Sequence, residues 1–185
     1  MKNVRVLLMV FLSAIALIPL AGCASKPTDE LEMARVSMDN AISNQASEYA
    51  PYDWDRAQMN WQMANALIQM GRYSEARSIL VQAVKNFDKA SDESKRRLES
   101  LTIDINSMLP QLKKEALSIQ HAAENPKISM KIRRTLDAAL PLIDEKISTM
   151  NVHIDKKDYL EARMVGAEAL RFMQDLEKKL GIKQG

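Results

Sequence analysis

The chain combines 185 residues with 46% hydrophobic and 5% aromatic side chains, five glycines and six prolines, a mixture rich in Ala, Leu, Met, Lys and Glu that favours helix and allows one domain or two small ones. Its formal charge of +2 comes from Lys2 and Arg5, without which 24 basic residues face 24 acidic ones, so nothing electrostatic points to a nucleic-acid partner. A single cysteine, Cys23, excludes an intrachain disulfide.

Lys2 and Arg5 precede the apolar stretch Val6–Leu20, interrupted by Ser13 and Pro19. Fifteen residues are too few to cross about 30 Å of hydrocarbon as a helix, and their flanks fit a secretory signal. The stretch ends in Leu20-Ala21-Gly22-Cys23, which resembles the bacterial lipobox. That resemblance implies a removable signal over 1–22, a lipidated Cys23 as first residue of the mature chain and a short tether over 23–28. Ala24 after the cysteine implies, by the same resemblance, sorting to the periplasmic face of the outer membrane. Several acyl chains on one residue anchor far more firmly than one. Five extended residues after Cys23 reach only about 17 Å, which predicts a folded part close to the bilayer.

Asp29 to Ser47 reads as a first helix capped by Thr28 or Asp29, with Leu31, Ala34, Met38, Ala41 and Ile42 on one face. Tyr49-Ala50-Pro51 breaks it. A second helix, Tyr52 to Met70, carries Trp54, Ala57, Trp61, Ala64 and Ile68 on one stripe and stops at Gly71. A third starts at Tyr73 and Ser74, with an apolar stripe from Ala76 through Leu80, Phe87, Leu101 and Ile105 that keeps its phase past Pro110 to Ala123. Leu109 is a poor cap for a new helix, so the pattern predicts one long helix kinked at Pro110. Asn125 and Pro126 suit a restart. The fourth helix, starting there, carries an apolar stripe of Ile128, Ile132, Leu136, Leu140, Ile143, Ile147, Met150 and Ile154, again with a proline, Pro141, behind a poor cap, Leu140. Asp158 caps the last helix, whose inner face carries Tyr159, Ala162, Val165, Ala169, Phe172, Leu176 and Leu180 before Gly181.

Gly71-Arg72-Tyr73-Ser74-Glu75-Ala76-Arg77 and Lys157-Asp158-Tyr159-Leu160-Glu161-Ala162-Arg163 share Tyr-x-Glu-Ala-Arg at a helix start, 86 residues apart. The aromatic and the small alanine suit a tight turn between two helices, as in tetratricopeptide-type hairpins. The predicted fold is therefore all-α: an elongated bundle of two antiparallel hairpins sharing the long central helix, with an N-terminal module over 29–100 and a C-terminal module over 101–185.

The lipobox, the Glu48-Tyr49-Ala50-Pro51 break, the Ala-rich second helix, the 71–77 segment and the Gln82-Ala83 and Lys89-Ala90 steps together resemble the small lipoproteins grouped as domain of unknown function 4398. The resemblance covers residues 20–93. Members of that family often precede a peptidoglycan-binding domain like the C-terminus of outer-membrane protein A, whereas residues 101–185 here read as helix and lack its strands. The resemblance implies a helical envelope lipoprotein and no activity.

Chemistry-bearing patterns are sparse. His121 and His153 stand 32 residues apart and read as ordinary polar-face residues. No His-Glu-x-x-His, Cys-x-x-Cys or phosphate-cradling glycine loop occurs in the sequence, and no nucleophile is paired with a base. No cofactor, metal or catalytic residue is therefore expected. Glu48, Asp53 and Asp55 suit the dipole of a helix start, and Lys127, Lys131, Arg133 and Arg134 read as a solvated face beside Asp137. Methionines 33, 38, 59, 63 and 70 could offer soft thioethers to copper(I), but lack a dense Met-x-x-Met cluster and better suit irregular helix interfaces. Trp54 and Trp61, beside Tyr73, are candidate partner-binding residues rimming a groove for a helix, peptide or glycan; the alternative is that they belong to the core.

The expected role is a non-enzymatic helical adaptor, held at the outer membrane through the lipid on Cys23 and docking a protein of the cell envelope. The alternative is a structural link between outer membrane and peptidoglycan, for which a helix of about 50 residues would supply about 75 Å of reach.

Overall fold

The computed structural model describes residues 25–181. Leu20, Ala21, Gly22 and Cys23, and with them the signal and lipidation site, lie outside the described residues. Six helices account for nearly all of the described chain, and no strand occurs among those residues: α1 (Thr28–Ser43), α2 (Ala46–Tyr49), α3 (Pro51–Gln69), α4 (Tyr73–Glu124), α5 (Met130–Asp155) and α6 (Tyr159–Leu180). The fold is an all-α bundle, as the composition and the 3–4 spacing require.

α4 organises it. Its 52 residues at 1.5 Å each give a helix with a length along its axis of about 78 Å. α1, α2 and α3 pack along its first half, α5 and α6 along its second. The helix continues through Pro110 with one hydrogen bond missing, and the exposed ring has room on the solvent side. The uncapped Leu109 left no other local solution, and the apolar stripe on both sides holds the helix together by packing. Pro141 sits inside α5 in the same way.

The two halves have different cores. Around the first half, Ala34, Ala41, Ala57 and Ala64 meet Ala76, Leu80, Ala83, Phe87 and Ala90, all fully buried. Alanine faces let helix axes approach closely, so the few large groups decide the fit: Phe87 meets Trp54 edge-on with ring centroids 5.5 Å apart. The second core is built from larger aliphatic groups, among them Ile105, Leu112, Ile119, Leu136, Ile143, Met150 and Met173. Gly166 is its one close approach: a Cβ there would lie 2.5 Å from the Met108 sulfur and 2.8 Å from the Met150 sulfur.

The repeated heptapeptides occupy equivalent turns. Gly71 (φ 72°) and Lys157 (φ 62°) are both left-handed. In the first turn Gly71 N–H donates to the Ile68 carbonyl and Arg72 N–H to Leu67; in the second Lys157 N–H donates to Ile154 and Asp158 N–H to His153. These paired 5→2 and 6→1 bonds are the Schellman closure, which satisfies the last carbonyls of α3 and α5. Ala76 and Ala162, five residues after each left-handed position, are fully buried. Arg77 then pairs with Glu30 at 2.6 Å and Arg163 with Asp104 at 3.0 Å, each tying its hairpin to a further helix.

Several helix ends differ from expectation. α1 begins with Thr28 behind Pro27, and neither Thr28 nor Asp29 caps it; the Thr28 hydroxyl donates to the Asp29 carboxylate instead. The first helix stops at Ser43 rather than Ser47 because Gln45 turns left-handed (φ 57°), and Ala46–Tyr49 forms a separate turn of helix. Asn125 does not start α5. Its N–H closes the end of α4 on the Ala122 carbonyl and its side chain accepts from Lys127 N–H in an Asx-type turn. Ser129 is the N-cap, accepting from Ile132 N–H at 3.3 Å. Asp158 caps α6 as expected, accepting from Glu161 N–H, and Gly181 closes it in the left-handed region.

Candidate functional site

Polar groups inside the bundle serve packing. Asp53, only 8% exposed, pairs with Lys89 at 2.8 Å, tying α3 to α4. At the junction of the two halves, the Asn44 amide donates to the Ser91 hydroxyl at 2.8 Å and the Ser94 hydroxyl donates to the Asn44 carbonyl. The Tyr49 hydroxyl, on a ring 2% exposed, donates to the Lys157 carbonyl at 3.5 Å, joining the α2 turn to the α5–α6 turn. Burial, and after it the Glu48 carboxylate, push this phenol up to about 12. Glu115 of α4 faces the buried Glu177 of α6, and its carboxyl is raised by burial first and then by that like charge. His153 Nδ1 lies 3.0 Å from Asp158, supporting the cap of α6. No group of three or more His, Cys, Asp or Glu side chains suited to a metal occurs among the described residues.

Trp54 and Trp61 lie half-buried on one stripe of α3. Trp54 packs on Phe87, and Trp61 contributes to both apolar clusters of the first half. Tyr73 opens α4 beside the Gly71 turn, at the opposite end of α3 from Trp54, so the three do not form one rim. The outward face of α3 is instead lined by Tyr52, Met59, Met63 and Met70. Their spacings of 7, 4 and 7 residues place them within about 40° of one another around a helix of 3.6 residues per turn.

An open concavity lies between the second half of α4 and α5. It is a groove of about 690 Å³ lined by Lys113, Ala116, Leu117, Gln120, Ala123 and Glu124 from α4 and by Asp137, Leu140, Asp144 and Ile147 from α5. Alanines on the α4 side leave space where α6, wedged against the other face of the pair, holds α4 and α5 apart. Leu117 is 54% exposed. Asp137 and Asp144 form the α5 shoulder, and neither has an ion-pair partner among the described residues. Arg133 and Arg134 lie four and three residues before Asp137 on the same helix, but neither forms an ion pair with it; Arg133 donates to the Asn125 carbonyl at 2.9 Å. Sequence reading placed Leu140 and Ile147 in the core and missed the groove. Its one advance signal was Leu117, an aliphatic residue one position beyond the core stripe of α4.

No family model, curated protein or solved structure compared with the chain matches it.

Proposed function

We propose that the chain is a non-enzymatic adaptor, anchored by lipid on Cys23 at the periplasmic face of the outer membrane, which docks a protein partner on exposed helix surface. The observation that carries the docking role is the open, apolar-floored α4–α5 groove on a rigid scaffold. Buried ionisable groups here are paired with neighbours in the bundle wall rather than convergent in a cleft, which gives no support to an enzyme. The lipobox and the likeness of residues 20–93 to small helical lipoproteins support the address. Radiolabelled palmitate should enter the chain, and Cys23→Ser should abolish that incorporation and release the protein from membranes. Site-specific photocrosslinking in cells from Met63 and Leu117, identified by mass spectrometry, tests the docking role.

A link to peptidoglycan is the second reading, favoured by the length of α4. The Glu30–Arg77 pair puts the start of α1, and so the tether, beside the start of α4. An upright rod would then carry its far end up to about 75 Å from the bilayer, so a short tether does not confine partners to the membrane surface. Co-sedimentation of the chain with purified peptidoglycan would support this reading, and failure to co-sediment would remove it.

A further inference from the structure

We propose that the α4–α5 groove docks a basic amphipathic helix of a partner protein, with the partner's apolar side on Leu117, Leu140 and Ile147 and its lysine or arginine side chains on Asp137 and Asp144. This rests on the adaptor reading and names the partner's chemistry. Lys113 to Glu124 covers 12 residues of α4, about 16 Å from first to last, which matches about three turns of a docked helix. Apolar anchors at i, i+3/i+4 and i+7 are how a helix fills such a groove. The two shoulders differ in charge. On α4, Glu124 is occupied by the Gln120 amide at 3.2 Å and offset by Lys113. On α5, Asp137 and Asp144 stand two turns apart with no basic partner among the described residues. An occupant with basic donors along one edge satisfies both carboxylates, and the asymmetry sets its orientation. An anionic lipid surface would meet this acidic shoulder with repulsion.

The test is a fluorescence titration of the full chain in phosphatidylcholine nanodiscs with a labelled Leu/Lys amphipathic peptide of about 18 residues, five turns. A scrambled peptide and a Leu/Glu version serve as controls. The Leu/Lys helix should bind, and the controls should not. Asp137→Asn with Asp144→Asn, or Leu117→Ser alone, should weaken binding by about tenfold or more; these side chains are exposed, and circular dichroism verifies the fold. Equal binding of the scrambled peptide, an unchanged affinity in the Asp double variant, or a dimer that Leu117→Ser dissolves would overturn the proposal. Crosslinks from Met63 without any from Leu117 would overturn the groove and leave the adaptor reading standing. Silence at both positions would remove both.

Discussion

Replacing Tyr49 by Phe should change how stability depends on alkaline pH. The phenol has a folded-state value of about 12 against an ordinary value of 10, because its ring is buried and Glu48 lies beside it. Its neutral form is favoured in the folded state, so its contribution is fully present below pH 10 and is lost as pH rises towards 12. Between those values the unfolded chain has released a proton that the folded chain still holds. At pH 11 the difference amounts to about one decade, about 1.4 kcal/mol, and it approaches about 2.7 kcal/mol above pH 12. Tyr49→Phe removes this term. At pH 8 the variant should lose no more than about 1 kcal/mol, because the bond to the Lys157 carbonyl is long. Urea titrations of both proteins at pH 8 and pH 11 read the effect as a difference of differences, in which lysine titration cancels. The gap between the two proteins should move by about 1.4 kcal/mol in favour of the variant. A gap that stays constant would refute the reasoning that burial at the junction holds this phenol neutral.

Other substitutions address the long helix and its turns. Pro110→Ala should raise stability, because the ring is exposed and only a helical hydrogen bond is regained; up to about 3 kcal/mol would move the thermal midpoint by roughly 6–12 °C, and a lowered midpoint in calorimetry would contradict it. Gly71→Ala should cost about 1–2 kcal/mol from the left-handed backbone alone, since nothing lies within 4 Å of the added Cβ. Lys157→Gly should gain up to about 1 kcal/mol at the equivalent turn; chemical denaturation of the pair checks that the two turns are the same device. Glu177→Gln should stabilise the protein more at pH 7 than at pH 4. Glu115 has its carboxyl raised in the folded state by burial and by Glu177, a contribution present below the ordinary carboxylate value and lost as pH rises.

The architecture was legible wherever one local rule had no competitor. Leu109 and Leu140 cannot cap, so the helices through Pro110 and Pro141 could be read directly from the apolar phase on either side. The Tyr-x-Glu-Ala-Arg repeat marked both hairpin turns, even though one carries glycine and the other lysine at the left-handed position. Boundaries failed where the deciding interaction is distant or where caps compete. Gln45 turns left-handed without a glycine to announce it, next to an Asn44 whose side chain and carbonyl are held by Ser91 and Ser94 from 47 and 50 residues away. Asn125 and Ser129 are both competent caps, and the asparagine is consumed by its own turn.

The surface was far less legible than the core. Trp54 and Trp61 drew attention as aromatics, yet half their surface completes a core of alanines too small to fill it alone. The groove arises from the separation of α4 and α5 around α6, and the spacing pattern scores Ala116, Leu140 and Ile147 as core whether or not a neighbour covers them. Asp137 and Asp144 become informative only once both are seen to line the groove without an ion-pair partner among the described residues.

Photocrosslinking in living cells from Leu117 and Met63 tests the docking role most directly, with the exposed Lys95 as a control position. One reproducible protein adduct is expected from Leu117, absent from Lys95 and lost when Asp137 and Asp144 are both changed to Asn. No protein adduct from either Leu117 or Met63, in a chain shown to be folded and membrane-bound, would contradict it.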